Sequence, residues 1–128
     1  QFGQGYVSIN KLNEEIQTSL SSYSIDFHAQ GKNKTTMSGA VNYHCDTESN
    51  MNLYSYVSYS SVVDVSKIKL FLDVVDNGEV IKSFDVVNNS YVNIGTLSAG
   101  DYELVLRIND VNKTLTTSSY IDVNLNRY

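Results

Sequence analysis

The sequence predicts an all-β chain: an antiparallel, immunoglobulin-like β-sandwich of about seven or eight strands. Three observations lead there. The chain has 128 residues, the size of one domain and enough to bury a core without staples. Apolar and polar residues alternate with a period of two along most of its length. Turn-forming residues interrupt that alternation at short intervals, the spacing of hairpins and sandwich corners.

Residues 1–20 read as a lead-in segment that packs on a domain formed by 21–128. In "NKLNEEIQTSL", Ile9, Leu12, Ile16 and Leu20 are three to four apart. That spacing fits a short helix, and an irregular lead-in with a strand near residues 15–19 fits it as well. In "YSIDFHA", Tyr23, Ile25, Phe27 and Ala29 alternate with Ser24, Asp26 and His28. "QGKNK" then reads as a turn, and a hairpin there would set His28 opposite Thr36 or Ser38. In "TMSGAVNYHC", Met37, Val41, Tyr43 and Cys45 share a face, with Gly39 among them.

Residues 51–66 are dense in Tyr and Ser, and form one long bent strand or two strands around a turn. In "KIKLFLDVVD", Ile68, Leu70, Leu72 and Val74 oppose Lys67, Lys69 and Asp73. "DNGE" is the strongest hairpin signal, because Asn-Gly readily takes the positive φ values of a primed turn. "EVIKSFDVV" sets Val80, Phe84 and Val86 on one side with Lys82 interrupting, and "VNNSY" turns the chain again. "TLSAG" is a corner in which Leu97 tucks under, Gly100 supplies backbone freedom and Tyr102 opens the next strand facing inward. "DYELVLRIN" buries Tyr102, Leu104, Leu106 and Ile108, and "LTTSSYIDVNL" buries Leu115, Ile121, Val123 and Leu125.

Composition bounds the function. Charged residues make up 18% of the chain and the net charge is -5. The nine basic residues are scattered, apart from Lys32 and Lys34 in a turn. Nucleic acid and anionic membranes need clustered cations, so neither is an expected partner. No apolar run reaches the ~18 residues of a membrane span. Polarity comes from Ser, Thr, Asn and Tyr, as on exported proteins. The single cysteine excludes an internal disulfide, and a start at Gln1 is what signal cleavage or a chosen domain boundary is expected to leave. The expected location is therefore outside the cytoplasm: periplasm, cell surface or secreted. Proline is absent, so charges such as Lys82, Asp85 or Arg107 are expected to guard the sheet edges.

From 67 to 108 the chain reads strand, "DNGEVI" hairpin, strand, then "IGTLSAGDYELVLRI". Gly78, Val80, Leu97, Gly100, Tyr102, Leu104 and Leu106 follow a pattern that resembles the small exported Ig-like domains of Bacteroidetes. Those include domains of unknown function and C-terminal sorting modules. The resemblance implies an Ig-like sandwich and export, and no catalytic activity. It leaves out the N-terminal third and the Tyr-rich stretch.

Residues with chemical potential are few. His28 and His44 cannot share a site if a hairpin separates them, and each reads as an exposed strand histidine. Cys45 falls on the apolar face, which makes it a buried, inert thiol. His44, Asp46 and Glu48 could face a metal, but no second cluster has zinc spacing. Asp73, Asp76, Asn77 and Glu79 could hold calcium, but the hairpin already explains Asn77 and Gly78 and the EF-hand pattern is missing. "FGQG" lacks the lysine of a phosphate loop. No cofactor and no catalytic residue is expected. The candidate surface is "LYSYVSYSS", where Tyr54 and Tyr56 face away from Leu53 and Val57. Tyr and Ser together make adaptable recognition surface. The expected role is a non-enzymatic binding or structural module, with a protein partner or self-association ahead of glycan. The alternative is a carbohydrate-binding module using Tyr54, Tyr56 and Tyr59.

Overall fold

Nine strands arranged in two antiparallel sheets form the structure, a computed structural model that describes residues 16–31 and 33–128. They are β1 (Ile16–Leu20), β2 (Ser24–Gln30), β3 (Thr36–Cys45), β4 (Ser49–Tyr59), β5 (Lys69–Asp76), β6 (Glu79–Asp85), β7 (Ser90–Leu97), β8 (Gly100–Asn109) and β9 (Tyr120–Arg127). One sheet has the order β1-β2-β9-β4-β7 and the other β3-β8-β5-β6. The expected β-sandwich is thus present, with more strands than the alternation suggested. Residues 16–20 take the strand alternative and pair with β2. The helical spacing at Ile9 and Leu12, the "FGQG" stretch and Lys32 lie outside the described residues.

Inward positions of every strand except β6 supply the core. Ile25 and Phe27 of β2, Leu53 of β4, Leu72 of β5, Ile94 of β7, Leu104 and Leu106 of β8, and Val123 and Leu125 of β9 are essentially sealed from solvent. Cys45 is buried and free at the end of β3. The β5–β6 hairpin closes on Asn77 (φ 53°) and Gly78 (φ 83°), the primed turn that Asn-Gly predicts. The segment 51–66 is strand only to Tyr59, followed by a turn and a short 3₁₀ segment at Val65–Lys67.

By position, β4 to β8 occupy the B, C, C′, E and F places of an immunoglobulin-type sandwich. The place beside B is filled by β9, and the place beside F by β3. The "TLSAG" corner joins the E and F places. There the Tyr102 hydroxyl donates to the carbonyl of Ser98 at 2.7 Å, the tyrosine corner of such domains.

Four expectations need correction. "QGKNK" closes no hairpin, because β2 and β3 belong to different sheets and the segment crosses between them. Val80 is exposed, not core-facing: Val74 pairs with Lys82 and Val75 with Val80, so Ile81 is an extra residue that reverses the parity. Leu115 is buried but precedes β9. It sits in a loop pinned by Asp110, whose carboxylate accepts from the backbone N–H groups of Thr114 and Leu115. Arg107 guards no edge, since β8 is central and its guanidinium bonds Asp73 on β5.

The flanks are closed differently. On one, β1 approaches β3 closely: Thr18 Oγ1 donates to the carbonyl of Ala40 at 3.2 Å. On the other, the Lys82 ammonium of β6 donates to the carbonyls of Ile94 (2.6 Å) and Thr96 (3.3 Å) on β7. Lys82 thus stands at a sheet edge, its ammonium capping carbonyls of the neighbouring edge strand.

Candidate functional site

The outer face of the five-stranded sheet carries an unusual set of side chains. Strand alternation turns Tyr54, Tyr56 and Ser58 of β4 outward while Leu53, Ser55 and Val57 face in. Cross-strand register sets Tyr91 of β7 directly beside Tyr54. The rings of Tyr54 and Tyr56 meet edge-on at 5.1 Å between centroids, and those of Tyr54 and Tyr91 at 4.8 Å. Tyr128 continues the row, 5.2 Å from Tyr91. A hydroxyl–hydroxyl bond to Tyr91 raises the Tyr128 phenol above its ordinary pKa. Four rings thus form a continuous strip, of which Tyr56, Tyr91 and Tyr128 are about half exposed or more.

Tyr54 and Tyr56 stand where parity placed them. Tyr59 does not join them. It has the parity of Val57, packs against the core, and burial raises its phenol pKa. Tyr91 and Tyr128 are additions that the chain pattern alone does not reveal.

At Tyr56 the strip runs into a groove of about 660 Å³. The groove crosses the strands from Gln17 and Ser19 of β1, over β2, β9 and β4, to Asn88 and Asn89. With strands ~4.8 Å apart, that is about 15–20 Å of length. Its floor carries polar groups. The Asp122 carboxylate hydrogen-bonds the His28 imidazole, whose ring stacks at 5.9 Å on Tyr120. The Asn124 amide donates to Ser24 at 2.8 Å and to Asp26. β7 pairs with β4 only as far as Ser55. Beyond it the Asn88 side chain accepts from the Val57 N–H at 2.9 Å, which holds the 88–89 turn as the far wall. No Lys or Arg is among the described residues lining the groove.

The remaining candidates lie apart. His44 is on the outer face of the other sheet, so the two histidines are separated by the whole sandwich and not by a hairpin. Its ring contacts Asp101 and, at 2.9 Å, Asp46. The hydrogen bond to Asp101 is the main cause of its raised pKa, followed by that carboxylate's charge. Glu48 takes no part in that contact. His44, Asp76, Asp101 and Glu103 line a wide depression of about 1300 Å³ at the end of the sandwich, together with Tyr43 and Arg127. Asp73 is buried beneath Arg107 and hydrogen-bonded by Ser83 at 2.6 Å. Burial pushes its carboxyl up, but the bonds from Arg107 and Ser83 outweigh that and hold it below the usual range. Asp73 is thereby engaged away from the hairpin residues Asp76 and Glu79. Among the described residues, no three His, Cys, Asp or Glu side chains converge as a metal site. No helix among them is long and apolar enough to cross a membrane. Neither a protein-family model nor a curated protein matches this chain.

Proposed function

We propose that this domain is an exported, non-enzymatic carbohydrate-recognition module that holds its ligand on the outer face of the five-stranded sheet. One observation carries the reading: the Tyr128–Tyr91–Tyr54–Tyr56 strip is continuous with a groove in which carboxylate, amide and imidazole groups stand among carbon surface. A sugar presents C–H faces and hydroxyl edges together. Aromatic rings beside convergent hydrogen-bonding groups are the matching surface. Export is supported by the low charge and the Ser-, Thr- and Asn-rich composition.

The test is a titration of the purified domain with a panel of glycans, followed by NMR shifts with and without calcium. Saturable binding that shifts Tyr54, Tyr56 and the β2–β9 amides is expected, with Tyr54→Ala and Tyr56→Ala each weakening it at least tenfold. A panel without binding overturns the proposal.

A second reading, a protein partner or self-association, is supported by a different place. Val80, Ile81 and Val87 are exposed along and just beyond the edge strand β6. Concentration-dependent light scattering that Val80→Asp removes would favour it.

A further inference from the structure

Resting on the carbohydrate reading, we propose that the groove selects uncharged, unbranched glycan chains, bound across the strands with Tyr56 as the stacking platform, and rejects acidic ones. The argument begins with charge. Two carboxylates, Asp26 and Asp122, stand on the floor, and the cations that would attract a uronate, sulfate or phosphate are missing from the described lining. An acidic ligand would lose its own hydration and meet like charge, with no Lys or Arg in the described lining to offset either cost.

The second point is how the carboxylates are held. Asp26 accepts from Asn124, and Asp122 is bonded to His28. Each is anchored by a neighbour through one oxygen, Oδ1. The partner oxygens remain as fixed acceptors for donors from a ligand, with Ser24 touching Oδ2 of Asp26 only at 3.4 Å. Hydroxyl groups are such donors, and a neutral sugar brings them without a charge to desolvate. Bonds from a neutral donor to an ionised acceptor are also the stronger kind.

The third point is shape. From β1 the groove crosses the strands to its wall at the 88–89 turn, so a linear chain can lie along it, whereas a branched cluster would meet that wall. Tyr56 lies at the junction of strip and groove. It is the ring best placed to stack on a sugar whose hydroxyls reach the floor. Tyr54 and Tyr91 extend the platform outside the groove, where a chain that overhangs would meet them.

The experiment uses the full 128-residue chain and calorimetric titration with defined probes. These are soluble oligomers of β-1,4-linked glucose, xylose and mannose, an oligogalacturonate of the same length, and an oligolysine peptide. The expected result is binding of at least one neutral oligomer at least tenfold tighter than oligogalacturonate. Tyr56→Ala should abolish it and Tyr56→Phe retain it. Asp26→Asn should weaken the neutral sugar while narrowing its margin over the acidic one. Circular dichroism checks that each variant is folded, and because these side chains are on the surface, folding should survive. Oligogalacturonate binding equal to or tighter than the neutral sugars overturns the selectivity and leaves the carbohydrate reading intact. Oligolysine binding without any sugar overturns both, and so does a complete absence of binding.

Discussion

Replacing Gly39 with alanine should cost more than any surface methyl has a right to. Gly39 sits mid-strand in β3, facing β1 across the flank of the sandwich. A Cβ built there would be 2.6 Å from the Ile16 Cβ and 2.8 Å from the Ile16 carbonyl oxygen. To restore an ordinary 3.4 Å contact, β1 must retreat by about 0.8 Å. Overpacking of this kind costs about 1–3 kcal/mol. Retreat also loosens Ile16, which has no exposed surface, and stretches the Thr18–Ala40 bond, a contribution of about 1 kcal/mol. The total is about 2–4 kcal/mol. For a domain of this size it should lower the melting temperature by roughly 10 °C. Urea unfolding followed by circular dichroism reads it directly. Because the retreat of β1 already loosens the Ile16 side chain, Ile16→Ala, which keeps the clashing Cβ, should cost less in the Gly39→Ala background than in the wild type, a non-additive pair. If Gly39→Ala unfolds at the wild-type urea concentration, β1 does not close the flank as described and the reasoning fails.

The remaining expectations can be checked with the same material. Tyr102→Phe removes the bond to Ser98 and should destabilise by about 1 kcal/mol; an unchanged urea midpoint would mean that the corner is held by packing alone. Asp73 has a depressed pKa, so its contribution is complete above the ordinary carboxylate pKa of ~3.9 and is lost as pH falls through the lower folded value. Asp73→Asn should therefore be less stable than wild type at pH 7, by about 1–3 kcal/mol. The gap should close below about pH 4, and a gap independent of pH would refute the pairing with Arg107. Lys82→Met uncovers the Ile94 and Thr96 carbonyls on an edge strand. It should promote concentration-dependent association visible by light scattering, and a variant that stays monodisperse argues against the guarding role. In an NMR titration His44 should deprotonate above the usual histidine range, and Asp101→Asn should bring it back; a ring indifferent to that change has no such partner.

What could be read from the chain divides along a physical line. Alternation reports which way a side chain points relative to its own strand, and nothing more. It was enough to set Tyr54 and Tyr56 opposite Leu53 and Val57, to bury Cys45, and to separate His28 from the core. It fails wherever the count is broken without a local signal. Ile81 is an ordinary β-branched residue, yet as the extra residue in β6 it exposes Val80. The turn residues of "QGKNK" mark that the chain leaves β2, but the same residues serve a hairpin or a crossing between sheets. Only the pairing of β2 with β1 and β9 decides between them. The candidate site is built almost wholly from such long-range pairings. Asp122 reaches His28 from 94 residues away, and Asn124 reaches Asp26 from 98. Each strand taken alone offers an unremarkable polar outer face, and the groove exists because β9 is inserted between β2 and β4. A β9 strand in the usual last position, beside β8, would leave Tyr56 next to different neighbours and remove Asp122 and Asn124 from its side. The candidate surface is thus a consequence of strand order, and strand order is the property that period-two alternation cannot encode.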